Sequence, residues 1–405
     1  MARTVAGLPE GTRVTDYISL GVVSKAFPLP TVHRILEETG RASQRDRELP
    51  AHVVVYYVIA LALYMQVSYR EVLRCLLEGM RWLAEPDAVF QPAGVSAISQ
   101  ARSRLGVAPM QRLYEEVVGP IATPETPGAW YRGRRLVSLD GTTFDLGDTR
   151  ANEEAFGRPG SARGANATGA FPQLRLVGLV ETGTHVVFGA GIGRYSDSEA
   201  TLTRAVLPAL RPDMLCLADR GFMGFDLWRE TLTTGAALVW RAKGNMKFPV
   251  EERFADGSYQ STLRWNYNCR ATDRTPIPVR VIEYELPGVT GAEPLYRVVT
   301  SLLDAEEAPA ADLAALYHER WEIENAFDEL KTHLRGARVV LRSKTPELVR
   351  QESYGFLLAH YAVRDLMHQA ALGATPRARD PDSLSFVHAV RVIRRTLPRV
   401  AALPP

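Results

Sequence analysis

Length, composition and charge set the first limits on this chain. Its 405 residues are 46% hydrophobic and 23% charged, and the formal net charge is +2 at pH 7. These values are ordinary for a soluble globular protein, and the length allows two or three domains. The small net charge neither requires nor excludes a nucleic-acid partner, because local clusters of arginine matter more than the total.

The cysteines and the apolar stretches exclude further classes of protein. Cys75, Cys216 and Cys269 are odd in number and far apart, so they give neither a disulfide framework nor a zinc-binding spacing. The sequence has no signal peptide pattern, and its longest apolar stretch, residues 53–65, is too short to span a bilayer. We therefore expect a cytoplasmic protein with no membrane partner.

The first part of the chain, residues 1–125, is predicted to be a helical domain. Helical patterns separated by Pro, Gly or polar breaks occur at 31–38, 51–65, 69–77 and 110–118. Ser68, with Glu71 three residues later, has the pattern of a capping box at a helix start. Residues 95–106 predict a further helix rich in Ser, Gln and Arg, side chains that contact bases and phosphates in helix-turn-helix proteins. An ordinary amphipathic surface helix is an equal alternative on residues alone.

The middle of the chain, residues 126–345, alternates between strand and helix patterns. Strands are predicted at 136–139, 174–180, 185–192, 214–218 and 236–242, and helices at 199–210 and 227–233. This order matches an α/β, ribonuclease-H-like core, in which the first and fourth strands lie side by side. Residues 247–304 are β-rich and lie after that core pattern.

The last part of the chain, residues 346–405, is predicted to be a C-terminal helical region. An amphipathic helix is expected at 347–372, a linker rich in Pro, Asp and Arg at 373–384, and a final helix at 385–395. We expect the apolar helix at 347–372 to be a candidate contact surface between protein copies.

One helical segment near the C-terminus, residues 317–331, carries the strongest functional signal. Tyr317 is followed by Arg320, Glu324 and Lys331 at offsets of three, seven and fourteen residues. At about 100° per residue, these four side chains share a stripe roughly 60° wide. A carboxylate flanked by two cations and a phenol suits an enzyme that acts on a nucleic-acid backbone. For Arg320 and Glu324 alone, a solvated face with i,i+4 ion pairs is the better interpretation.

Two aspartates follow short apolar runs earlier in the chain. Asp140 begins the motif Asp-Gly-Thr-Thr-Phe, and Asp219 begins the motif Asp-Arg-Gly-Phe. Asp140 could instead end a strand before a hairpin, because Asp-Gly is a strong turn signal. Asp219 could instead cap the following helix. Asp145 and Asp148 are weaker alternatives for the first carboxylate.

Together, the Tyr-x2-Arg-x3-Glu-x6-Lys string and the two aspartate motifs resemble the signature of bacterial DDE transposases of the insertion-sequence-four family. The resemblance extends from about residue 10 to about residue 370. It implies that Asp140, Asp219 and Glu324 are catalytic metal ligands, with a β-rich insertion between the second and the third. Three carboxylates without His or Cys partners select hard cations, hence Mg²⁺ or Mn²⁺.

The resemblance also implies contacts with double-stranded DNA. Candidate DNA-binding side chains lie on the 317–331 helix and on the 95–106 helix: Tyr317, Arg320, Trp321, Lys331, Arg102 and Arg104. Trp321 is rotated by about 100° around the helix from Arg320, so its side chain either packs in the core or contacts a flanking base.

The predicted function is that of a DNA transposase that binds the terminal inverted repeats of its element. Two metal ions can support in-line displacement at phosphorus, with water as nucleophile for cutting and a DNA 3′-OH for joining. We expect element ends and target DNA as partners, a dimer on DNA and association with the bacterial nucleoid. Two alternatives are a metal-dependent nuclease of the same fold and a catalytically silent, transposase-derived DNA-binding protein. The intact Asp140, Asp219 and Glu324 argue against the silent protein.

Overall fold

A computed structural model gives the fold of this chain. The residues that the structure describes are 20–45, 49–65, 67–84, 94–160, 171–265, 269–286, 294–336, 340–373 and 379–395. The predicted linker at 373–384 lies partly outside these residues. Within them, no helix is both long and apolar enough to cross a lipid bilayer.

The N-terminal part of the described chain is helical, as the sequence predicts. Its helices are α1 (Leu20–Ala26), α2 (Leu29–Glu38), α3 (Ala51–Leu63), α4 (Tyr69–Ala84), α5 (Val95–Leu105) and α6 (Ala108–Val117). The hydroxyl of Ser68 accepts a hydrogen bond from the backbone N–H of Glu71, so the predicted cap starts α4. Helix α3 is apolar on nearly every side and is buried from Val53 onward, which makes it the core of this region.

A mixed sheet occupies the centre of the molecule. Its strands are β1 (Trp130–Tyr131), β2 (Arg134–Asp145), β3 (Gln173–Glu181), β4 (Val187–Arg194), β5 (Met214–Ala218), β6 (Ala237–Arg241), β7 (Glu252–Arg253), β8 (Tyr259–Leu263), β9 (Ile277–Tyr284) and β10 (Tyr296–Thr300). Their spatial order is β4-β3-β2-β5-β6-β10-β9-β8-β7, and β1 pairs with β2. The antiparallel β2–β3–β4 unit followed by parallel β5 and β6 is the predicted ribonuclease-H-like arrangement.

The β-rich segment extends this sheet instead of forming a separate layer. Strand β10 pairs antiparallel with β6, and β9, β8 and β7 follow in order. The remaining helices are α7 (Arg150–Phe156), α8 (Glu199–Thr203), α9 (Phe225–Leu232), α10 (Ala310–His318), α11 (Glu322–Asp328), α12 (Pro346–Leu372) and α13 (Phe386–Arg395). Helix α8 is shorter than predicted, because Pro208 cannot donate a helical hydrogen bond and its ring clashes with the preceding turn.

Helix α12 joins the two helical regions, and its position corrects one prediction. It packs against α1, α3, α6 and α13, and most of its apolar side chains are buried. A Cβ atom on Gly355 would lie 2.7 Å from the carbonyl oxygen of Val58, so only glycine permits this close approach to α3. The expectation that this helix offers a contact surface to a second copy is wrong, because that surface is already covered by the chain's own helices.

Candidate active site

The sheet register brings the two predicted aspartates together. Strands β2 and β5 are parallel neighbours in which Leu139 pairs with Ala218. Asp140 is the next residue of β2, Asp219 directly follows the end of β5, and neighbouring strands lie about 4.8 Å apart. Both carboxylates therefore project from one edge of the sheet, where β5 ends.

The alternatives for these aspartates do not hold in the structure. Strand β2 continues through Asp140 to Asp145, paired with β3, so the alternative in which Asp140 ends a strand before a hairpin is wrong. Gly224, not Asp219, is the N-cap residue of α9. The side chain of Asp145 accepts a hydrogen bond from Gln173, and Asp148 forms an ion pair with Arg158.

Arg320 joins the third predicted carboxylate to the first. Its Nη1 donates to Oδ2 of Asp140 at 3.2 Å, and its Nη2 donates to Oε1 of Glu324 at 3.4 Å. The Arg320 and Asp140 side chains are 11% and 19% exposed, whereas that of Glu324 is 48% exposed. The structure thus places Asp140, Asp219 and Glu324 around a single accessible site.

The helical segment that carries Glu324 is continuous, but its pitch changes twice. A 3₁₀ turn (Glu319–Trp321) separates α10 from α11, and a π turn (Glu329–Leu334) follows α11. The expected single regular α-helix is therefore wrong in detail. The face that carries Arg320, Glu324 and Lys331 nevertheless points toward β2, since Nζ of Lys331 donates to Oγ1 of Thr142 at 3.1 Å. Tight and wide turns of this kind occur often at functional sites.

Two aromatic residues of the same segment have opposite environments. Tyr317 is 5% exposed and packs in the core cluster on the sheet, 6.0 Å from the Arg320 guanidinium. Burial raises the pKa of Tyr317 to about 12. The prediction that the Tyr317 side chain contacts DNA is corrected, because its covered ring lies against Arg320 inside the protein. Trp321 is 57% exposed, so of its two predicted roles the core one is excluded.

The two arginines of α5 also differ. Arg102 is 2% exposed; its Nε donates to Oε1 of Gln351 and its Nη2 to Oγ of Ser343, both at 2.9 Å. The prediction that Arg102 contacts DNA is therefore wrong, because its guanidinium is held inside the protein against α12. Arg104 is exposed and stays a candidate.

A fourth carboxylate, Glu199, adjoins the site and was not predicted. A Cβ atom on Gly141 would lie 2.5 Å from Oε1 of Glu199, and one on Gly221 would lie 3.2 Å from its Oε2. The glycine after Asp140 and the glycine near Asp219 thus leave room for this carboxylate. Its sequence signal is weak, because an acid in the first turn of α8 is also what the helix dipole favours.

The charges at this site fit a divalent cation. The pKa of Asp140 is raised to about 6, chiefly by burial and also by the neighbouring charges of Asp219 and Glu199, against the opposing effects of the Gly141 N–H and Arg320. Burial and Asp219 also raise the pKa of Glu199. Buried acids of like charge are stabilised when a cation lies among them. The donors are all carboxylate oxygens, which hard divalent cations prefer as ligands.

Comparison with known families decides what class of protein holds this site. Residues 131–361 match the family model described as the transposase DDE domain, and residues 17–115 match that of the insertion element 4 transposase N-terminal region. This chain belongs to the DDE transposases of the insertion-sequence-four family. The predicted family, ribonuclease-H-like fold and DNA transposase function are thereby confirmed.

Individual relatives of this DDE transposase cover most of its length. It is 27% identical over 389 residues to the transposase InsG of insertion sequence element IS4 from Escherichia coli (strain K12), covering 95% of this chain and 83% of the relative. It is 24% identical over 222 residues to the putative transposase InsZ of the same organism, and the match covers 55% of this chain and 71% of that relative. A solved piggyBac transposase synaptic complex with hairpin DNA aligns over 95% of this chain and 81% of its own, with 10% identity and a TM-score of 0.48.

Proposed function

We propose that this transposase holds divalent ions, Mg²⁺ or Mn²⁺, with Asp140, Asp219 and Glu324, and that it cuts its element's ends and joins them to target DNA. The single observation that carries the proposal is the convergence of these three carboxylates through the β2–β5 register and the Arg320 bridge. Bound ions would supply charge stabilisation for displacement at phosphorus.

The neighbouring cations complete the proposed site. Arg320 orients Asp140 and Glu324, and it offsets the charge of a phosphate that enters beside them. Lys331, about half buried, provides a second positive charge along the same face. Exposed Trp321 and Arg104 are proposed contacts to bases or backbone. The proposed ligand is double-stranded DNA, and association with the nucleoid would follow from binding it.

A joining assay separates this proposal from the simple-nuclease alternative. Purified transposase, Mn²⁺ and a labelled DNA carrying an element end are incubated with a supercoiled target plasmid. We expect cut ends whose 3′-OH becomes covalently joined to the plasmid, because one site can use either water or a 3′-OH as nucleophile. Cutting without any joined product would favour the nuclease.

Lys331→Ala should weaken binding to cleaved ends in a salt-dependent way. Loss of one phosphate contact reduces counterion release, so the slope of log K against log salt should become shallower by about 1. The measurement is DNA affinity by fluorescence anisotropy across a salt series. Lys331→Arg, which keeps the charge, is the matched control and should retain the slope. An unchanged slope in Lys331→Ala with a large loss of thermal stability would indicate a structural role.

We further propose that two copies act together on a pair of element ends. The described residues contain one Asp140–Asp219–Glu324 site, whereas joining two ends to one target requires two. Wild-type protein mixed with an equal amount of Asp219→Asn protein should give about a quarter of the doubly joined product, since both copies must be active. A fall to half, with one copy per pair of DNA ends by light scattering, would contradict paired action.

A further inference from the structure

A second group of potential metal ligands lies beside the helical segment of residues 317–331. His185, in the turn between β3 and β4, directs its Nε2 to Oε2 of Glu322 at 2.8 Å and to Oδ1 of Asp382 at 3.4 Å. One ligand atom from each residue lies within 4.8 Å of the others. Zinc bonds to nitrogen and oxygen are about 2.0–2.2 Å long, so its ligand atoms lie about 3–4 Å apart. The three side chains therefore need little movement to surround one ion.

The other ring nitrogen of His185 is held as in many metal sites. Nδ1 lies 3.3 Å from Oε1 of Glu329, a buried carboxylate. Glu329 is fixed in turn by Nε of Arg364 at 2.8 Å and by Nε2 of His360 at 3.0 Å. Nη2 of Arg364 also contacts Nδ1, and Nη1 of Arg364 lies 3.4 Å from Oδ1 of Asp382. A carboxylate behind a histidine ligand fixes the ring orientation. An ion at Nε2 would require the ring proton to lie on Nδ1, facing Glu329, with the Arg364 guanidinium turned toward the carboxylates. The backbone of His185 has a φ of 57°, an uncommon conformation for a residue with a side chain.

The group is accessible and carries net negative charge. It borders a cavity of about 420 Å³ that is open to solvent. The charged groups that line this cavity are four carboxylates and one guanidinium, besides histidines: Glu322, Asp328, Glu329, Asp382 and Arg364. With the positive charge of Arg364 included, these side chains still carry a net negative charge, which favours the binding of a cation. The cavity also provides the path by which an ion would enter and a position for a water ligand.

We propose that His185, Glu322 and Asp382 form a second metal site, of zinc type, distinct from the carboxylate site at Asp140. The imidazole ligand selects zinc-like transition ions over Mg²⁺, which prefers oxygen ligands alone. The ion would join the β3–β4 turn, α11 and the turn before α13. Because Glu322 lies two residues before Glu324, this ion would fix the helix segment that carries the third proposed catalytic carboxylate.

The test is zinc retention by the full, untagged chain. The protein is stripped with a chelator, dialysed against buffered Zn²⁺ and analysed for metal by mass spectrometry, with Co²⁺ absorption spectra reporting the coordination geometry. We expect about one tightly held zinc per chain, and a loss of affinity of more than about 100-fold in both His185→Gln and Asp382→Asn. Asp382 is partly exposed, so its variant covers the case in which His185→Gln does not fold.

Two controls locate the zinc. His333→Gln changes a histidine that lines the same cavity outside the ligand group, and it should retain the ion. The Asp140→Asn/Asp219→Asn double variant removes the proposed catalytic site, and it should retain the ion as well. The proposal is overturned if wild type holds no zinc at saturation, if Asp382→Asn binds as tightly as wild type, or if the double variant loses the ion. None of these outcomes depends on transposase activity.

Discussion

The rate of DNA cleavage should fall by at least about 10³-fold in each of three variants that still bind end DNA: Asp140→Asn, Asp219→Asn and Glu324→Gln. Each change removes one negative oxygen but keeps the shape of the side chain, so the fold and the DNA-binding surface should persist. The loss is large because a site built to stabilise charge at phosphorus depends on every ligand. Single-turnover cleavage of a labelled element end gives the rate, and a gel shift gives the affinity.

The matched control for these variants is Asp148→Asn, which removes a carboxylate of the same β2–α7 region. Asp148 is paired with Arg158 away from the site, so its variant should cleave at the wild-type rate. Persistence of cleavage in both Asp140→Asn and Glu324→Gln would show that the assigned carboxylates do not perform the chemistry. Loss of end binding in step with cleavage would indicate misfolding or a role in DNA recognition.

Arg364→Met should lower the free energy of unfolding by about 3–5 kcal/mol, because it leaves a buried carboxylate without its cation. Arg364 is 2% exposed, and it donates to Glu329 through both Nε and Nη2. Despite burial, hydrogen bonds from His185 and His360 and the charge of Arg364 hold the pKa of Glu329 well below its usual range. Glu329 is therefore charged at pH 7, where denaturant unfolding should be measured in zinc-free buffer.

An exposed arginine provides the control for that loss. Arg150 pairs with Glu154 on the surface of α7, with side chains 92% and 63% exposed. Arg150→Met should change the free energy of unfolding by at most about 1 kcal/mol, since water already solvates both charges. Equal losses in the two variants would contradict a special role for the buried network around Glu329.

The sequence could predict the helices and strands whose positions follow from the local pattern of apolar residues. Apolar runs with intervening helical patterns predicted the order of the strands. The match of this order to a ribonuclease-H-like core predicted that β2 lies beside β5, as the structure shows. The assignment of Asp140, Asp219 and Glu324 depended on family motifs, and the structure brings those residues together. The Asp-Gly turn signal at residue 140 was misleading, because cross-strand pairing of Asp140 with Gly178 overrides a local turn preference.

The environments of single side chains could not be predicted from local pattern. Arg102 looks like a surface arginine, yet its partner Gln351 lies 249 residues away in sequence. Helix α12 looks amphipathic, but packing against helices at both ends of the chain covers its apolar side. Glu199 reaches the site only because β2 and β5 place Gly141 and Gly221 next to it. Each outcome depends on tertiary contacts that no sequence window contains.

The most direct test of the proposed chemistry is the position of bound metal in a crystal of the transposase with element-end DNA. Crystals grown with Mn²⁺ would be examined by anomalous diffraction at the manganese absorption edge. We predict anomalous peaks within about 2.0–2.4 Å of carboxylate oxygens of Asp140, Asp219 and Glu324. A fully occupied manganese position elsewhere, with no peak among these three carboxylates, would contradict the assignment of the active site.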